Sequence, residues 1–143
     1  MIKINYPSYD FRIKDEGGKE LIFDDFRKLW VRLTPEEWVR QNMLQYLVQV
    51  KKYPASLIAI EKEIALGELK KRFDIVVYKG SKPWMIIECK EMNVVLNGSA
   101  IKQVLNYNIT LQATFLVITN GSTTYGFVLQ NGSAEQLGQF PDF

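Results

Sequence analysis

Two stretches decide how this sequence folds: Arg72-Phe73-Asp74-Ile75-Val76-Val77-Tyr78 and Trp84-Met85-Ile86-Ile87-Glu88-Cys89-Lys90. Both are short apolar runs of strand length, and Lys79-Gly80-Ser81-Lys82-Pro83 separates them as turn material. The second run is apolar on both faces until Glu88, which is the pattern of a strand buried on both sides. Polar residues in such a setting carry information, because a core excludes them without a reason. Side chains alternate along a strand, so Glu88 and Lys90 share one face and Cys89 points to the other; Asp74 shares a face with Val76 and Tyr78. If 79–83 is the loop, Tyr78 lies opposite Trp84, and counting back sets Asp74 opposite Glu88. Opposed β-carbons are about 4.5–5.5 Å apart, and two carboxylates that close repel unless a cation stands between them. Lys90 supplies part of that charge. A hard divalent ion, Mg²⁺ or Mn²⁺, supplies more. The other reading is a buried ion pair between Lys90 and one acid. Glu-x-Lys also occurs at Glu68-Leu69-Lys70, but in a polar turn with no apolar run before it, where it reads as a solvated charge cluster.

Moving outward, Leu57 to Ala65 reads as a strand preceding these two. Before it, Thr34-Pro35-Glu36-Glu37 is a helix start, with a capping threonine, proline at the first helical position and acids in the first turn. Val39, Met43, Leu47 and Val50 continue at helical spacing through about residue 52, and Tyr53-Pro54 ends the run. Downstream of Asn97-Gly98-Ser99, the set Ile101, Val104, Leu105, Asn108, Gln112 predicts a second helix. Ala113 to Thr119 and Thr124 to Gln130 are two further strands around Asn120-Gly121. The opening 33 residues are strand-rich, with a hairpin at Gly17-Gly18 and alternation at Leu29, Val31 and Leu33. The order gives an α/β or α+β fold with a mixed central sheet in one domain, 1–143. Its parts are an extension (1–33), a core (34–130) and a loosely held polar tail (131–143).

Composition narrows the chemistry. The chain has 143 residues, 47% hydrophobic and 24% charged, so one sizeable core is within reach. It has no histidine, which removes Ser-His-Asp and Cys-His nucleophile systems and HExxH zinc sites. A lone Cys89 forbids an internal disulfide and fits a reducing compartment. Eighteen basic and 16 acidic residues give a net charge of +2, with no basic arm or tail. No run approaches the roughly 20 apolar residues of a membrane span, and the N-terminus lacks a signal-peptide layout. The expectation is a cytoplasmic protein whose chemistry, if present, uses carboxylates, lysine, tyrosine, hydroxyls or an oxygen-bound metal.

The strands around Asp74 and Glu88-Cys89-Lys90, followed by Gln103-x-x-x-Tyr107 and Thr119-Asn120-Gly121, form an ordered set. That set resembles the N-terminal nuclease domain of type I restriction enzyme R (HsdR) subunits, in the PD-(D/E)XK superfamily. Thr34-Pro35-Glu36-Glu37-Trp38-Val39-Arg40-Gln41 is similar to that family's first helix, and the likeness covers roughly residues 25–128. The resemblance implies a restriction-endonuclease-like αβββαβ core, the order read above, and Mg²⁺- or Mn²⁺-dependent cleavage of DNA. It implies that Asp74 and Glu88 hold the metal, with the Cys89 main-chain carbonyl as third ligand. Lys90 would orient or help deprotonate the attacking water, and Glu37 would be the helix acid. Gln103 and Tyr107, one helical turn apart, would contact DNA or position the lysine.

Competing roles stay open at this point. Glu37 lies three residues after Thr34 and can complete a capping box instead, and Glu36 can take either role. Gln103 and Tyr107 can be ordinary surface residues. Arg72, with Lys70 and Lys71, either contacts phosphates or sits in a solvated loop. No GxxxxGK[ST] loop follows, unlike in R subunits, so a freestanding nuclease module is expected. Its partners would be DNA and either a second copy or a separate specificity or translocase subunit. A module that keeps the fold and binds nucleic acid or protein without cutting is the alternative.

Overall fold

The computed structural model describes residues 1–108 and 111–143, the side chains of Leu66 and Tyr107 excepted. Strands β1 (Ile13–Glu16), β2 (Lys19–Asp24) and β3 (Leu29–Arg32) form a small antiparallel meander. Gly17 and Gly18 turn β1 into β2 at φ of 62° and 80°, values that side-chain-bearing residues resist. Helix α1 (Pro35–Gln45) starts as expected: Thr34 is extended, and its hydroxyl accepts from the Glu37 backbone N–H at 3.0 Å. The helix does not run to residue 52. It passes into a π-helical turn (Tyr46–Val50), whose wider winding shifts the phase, so Val50 ends 46% exposed where the spacing placed it in the core.

The main sheet follows: β4 (Ile58–Leu66), β5 (Leu69–Lys79), β6 (Lys82–Cys89), α2 (Gly98–Asn108), β7 (Phe115–Thr119), β8 (Thr124–Gln130) and β9 (Ser133–Gln136). The six strands lie in chain order, antiparallel except for the parallel pair β6–β7, which α2 connects as the crossover. The expected mixed sheet with αβββαβ order is present. The loop expected at 67–72 is instead a two-residue turn at Gly67-Glu68, and Arg72 pairs in strand with Glu63. Likewise 79–83 shortens to a turn at Gly80-Ser81. Tyr78 pairs with Pro83 rather than with Trp84, and a bulge between Val77 and Tyr78 absorbs the difference. Beyond the bulge, Ile75 faces Ile87, the register that the longer loop had implied.

Two apolar clusters sandwich this sheet. Val39, Met43 and Leu44 of α1 and Leu47 of the π-helical turn cover Ile75, Val77, Met85, Ile87, Cys89 and Val117. On the other face, Leu96 and Ile101 with Val104 and Leu105 cover Phe73, Val76, Ile86, Leu116 and Ile118. The tail is a correction: residues 131–143 are not loosely held. They supply β9, and Phe140 is 5% exposed against Tyr46 and Tyr53. Lys51 bonds the Asp142 carboxylate at 2.6 Å, and the Tyr53 hydroxyl donates to the Pro141 carbonyl. Polar composition hid three aromatic and aliphatic anchors, Leu137, Phe140 and Phe143, among the polar residues.

Candidate active site

The β5–β6 ladder stops one pair short of the two acids. Ile75–Ile87 is its last pair, and the next N–H on β6, that of Cys89, is captured by the Asp74 carboxylate (Oδ2, 2.8 Å) instead of a main-chain carbonyl. The face pattern also breaks here. Phe73 packs on the α2 side, Ile75 on the α1 side and Val76 on the α2 side again. Across β5, Glu61 adopts φ of 51°, and Glu61 and Asp74 are missing from a register otherwise regular on both sides. Asp74 therefore does not share a simple face with Val76 and Tyr78 opposite Glu88. It turns toward α1, where Arg40 Nη2 donates to its Oδ1 at 2.8 Å. Glu88, buried at 9%, is served from the other side by Lys71 Nζ at 3.3 Å from Oε1. Lys71 in turn donates to Asn108 Oδ1 of α2 at 2.9 Å.

The Asp74 charge reaches both glutamates. Burial first, and the Asp74 charge next among the raising causes, push the proton affinity of Glu88 up, against Lys71 and Lys90. Glu36 is raised in the same way, by burial and then by the Asp74 charge and hydrogen bond, against Arg40 and Lys90. Lys90 is thus the cation common to Glu36 and Glu88. Its backbone is pinned by a bond from its N–H to the Thr119 carbonyl at 2.8 Å, and among the described residues its ammonium makes no ion pair. Cys89 sends its thiol into the α1-side cluster, 1% exposed, and burial pushes that thiol far up in pKa.

The two neighbouring glutamates of α1 do different things. Glu37 is 6% exposed, and its side chain does not reach back to cap the helix. Its Oε1 accepts from Arg40 (2.8 Å) and Arg27 (3.1 Å), and its Oε2 accepts from Gln41 (3.1 Å). Glu36, half exposed, faces Asp74 and the Lys90 charge. Gln103 is exposed on α2. Arg72 is exposed on β5, and the Tyr107 side chain lies outside the described residues. The sequence reading did not single out Arg40, Arg27, Asp24 or Asn108 as site residues, and it weighed Lys71 only as a phosphate contact, not as the partner of Glu88. For Arg40 alone there was a signal: Glu37, Arg40, Gln41 and Gln45 recur at helical spacing, a polar stripe that the structure buries along an inward face.

A hard divalent cation suits the chemistry of this donor set, which is all oxygen, with two carboxylates of raised proton affinity. Glu88 Oε1 is buried without a well-directed hydrogen bond, which leaves a lone pair for such an ion. Among the described residues, however, no three acidic or thiol side chains converge into a ready-made cage, because Arg40 and Lys71 draw Asp74 and Glu88 apart. For Asp74 and Glu88 to hold one ion, their side chains would have to leave Arg40 and Lys71.

A mixed six-stranded sheet with a helix on each face is consistent with the nuclease-like core of the PD-(D/E)XK superfamily. The chain belongs to the family described as Type I restriction enzyme R protein N terminus (HSDR_N), whose model matches residues 35–141. No curated protein and no solved structure matches it. Among the described residues no helix is long and apolar enough to cross a membrane.

Proposed function

We propose that this domain hydrolyses phosphodiester bonds of DNA with the aid of Mg²⁺ or Mn²⁺. Asp74 and Glu88 would hold the ion, with the Cys89 carbonyl as a third donor. When bound, the ion supplies Lewis acidity to the phosphodiester and offsets the charge that develops on it. The chain's own residues do the rest. Lys90, whose charge acts on both Glu36 and Glu88, orients the attacking water beside them. Glu36, not Glu37, takes the role of helix acid, and its raised proton affinity suits it to accept the water's proton. Gln103 and Tyr107 on α2 and Arg72 on β5 meet the DNA backbone. That contact would contribute sequence-independent affinity that falls with salt.

The observation that carries this reading is that the β5–β6 ladder ends beside Asp74 and Glu88, with the Asp74 carboxylate on the Cys89 N–H and the Asp74 and Lys90 charges acting on both Glu88 and Glu36. Supercoiled plasmid incubated with Mg²⁺ or Mn²⁺ tests it. The parent should nick or linearise the plasmid, and Asp74→Asn and Lys90→Met should not, although both remain folded. Equal cleavage by all three would refute the assignment. A parent that binds duplex DNA and never cuts it would identify a binding module that keeps the fold.

A further inference from the structure

We propose that Arg40 is a positioning residue for Asp74, and that through it the small sheet β1–β3, which precedes the family-matched region, forms part of the site's support. The functional meaning rests on Asp74 being a metal ligand; the mechanical link does not.

The path is continuous. Asp24, wholly buried at the end of β2, accepts from the backbone N–H groups of Phe26 (2.7 Å) and Arg27 (2.8 Å). It also accepts from Arg27 Nε (2.7 Å) and from Gln41 Nε2 of α1 (2.9 Å). These bonds fix the turn between β2 and β3 and aim the Arg27 guanidinium at Glu37. Glu37 Oε1 is shared by Arg27 Nη2 at 3.1 Å and Arg40 Nη1 at 2.8 Å. The other limb of the Arg40 fork, Nη2, holds Asp74 Oδ1 at 2.8 Å. Arg40 Nε is buried without a partner, so the fork's two limbs and its looser pairs with Glu36 and Glu61 are what hold this side chain. A planar guanidinium can bridge two carboxylates at fixed angles, and a lysine ammonium cannot.

Two roles for Arg40 give different outcomes. A simple counter-charge for Asp74 would work equally well as lysine. A positioning residue would not, because the fork is lost while the charge stays. The relay also predicts coupling between Arg27 and Asp74, which are not bonded to each other. Independent sites add, whereas residues in one bonded network do not.

The test is thermal unfolding of the full chain, without metal and across a Mn²⁺ titration. Without metal, the Tm losses of Arg27→Gln and Asp74→Asn should sum to more than the loss in the double variant. With Mn²⁺, the parent's Tm should rise, and Arg40→Lys should need at least about fivefold more Mn²⁺ for half of that rise. Arg27→Gln, remote from Asp74, stands in if Arg40→Lys does not fold. Additive Tm losses, or an unchanged Mn²⁺ midpoint in a folded Arg40→Lys, would overturn the proposal. A parent whose Tm ignores Mn²⁺ would instead refute the metal assignment, and the additivity arm alone would then uphold or overturn the relay.

Discussion

Replacing Glu37 by glutamine separates a structural acid from a metal-binding one. The glutamate side chain is 8% exposed and accepts three hydrogen bonds, two of them from guanidinium groups. Glutamine keeps the shape, one acceptor oxygen and the backbone bond to Thr34, but it loses the charge and turns an amide toward a donor. Charge-assisted hydrogen bonds contribute about 1.5–3 kcal/mol each, and removing one member of a buried ion pair costs about 3–5 kcal/mol. Arg27 keeps Asp24 and Arg40 keeps Asp74, so the low end applies. We expect a loss of roughly 2–4 kcal/mol. At about 2–4 °C per kcal/mol for a chain of this size, Tm should fall by about 5–15 °C. Urea unfolding followed by tryptophan fluorescence measures the first quantity, and Mn²⁺ titration of the same protein measures metal affinity. Glu36→Gln should behave in the opposite way, with near-parent stability and slowed plasmid cleavage. A Glu37→Gln protein that loses less than about 1 kcal/mol and also loses Mn²⁺ binding would show that the buried network is not what Glu37 is for.

Three further outcomes follow from the packing and the charges. The proton affinities of Glu88 and Glu36 are raised on folding, so between their unfolded and folded pKa values the native state holds more protons, and stability falls as pH rises through that window. Glu88→Gln should therefore flatten this decline and raise the metal-free urea midpoint at neutral pH, whereas Asp24, lowered on folding chiefly because bonds from Arg27 and Gln41 outweigh burial, stabilises above the usual carboxylate range and loses that effect as pH falls. Phe140→Ala should cost about 3 kcal/mol in the same urea assay, the usual loss for a buried phenylalanine, and a loss near zero would mean that the tail is detached in solution. Asn120→Ala removes a bond to the Val94 carbonyl (2.8 Å) and two acceptor bonds within its own turn, so amide exchange should quicken in the segment after Lys90, with about 1–3 kcal/mol lost.

The sheet and both helices could be read in the sequence because apolar periodicity is set by burial, and burial is what the sheet's two faces demand. Thr34-Pro35-Glu36-Glu37 marked the start of α1 to the residue, since capping is a local interaction. What escaped was non-local. No spacing rule announces that α1 ends in a π turn, that Trp84 is the odd residue of a bulge, or that Glu61 takes a left-handed backbone opposite Asp74. The acids at Asp74 and Glu88 stood out as charges inside apolar strands. Their partners did not, because Arg40 on a helix and Lys71 in an apparent turn look like surface residues until the fold carries them inward. The choice between Glu36 and Glu37 could not be made from position alone, as adjacent helical residues differ by about 100° of rotation, and only the packing of α1 says which one turns toward the strands.

Burial of the one thiol gives the molecule an internal clock. Cys89 is the sole cysteine, and its side chain is sealed beneath α1 while its backbone N–H binds Asp74. A thiol reagent reaches it only when β6 and α1 part, so the modification rate measures how often the site itself opens, in a protein with no second sulfhydryl to confuse the signal. Any occupant that braces the closed arrangement, ion or nucleic acid, slows that reaction in proportion to its binding, whether or not a bond is ever cut.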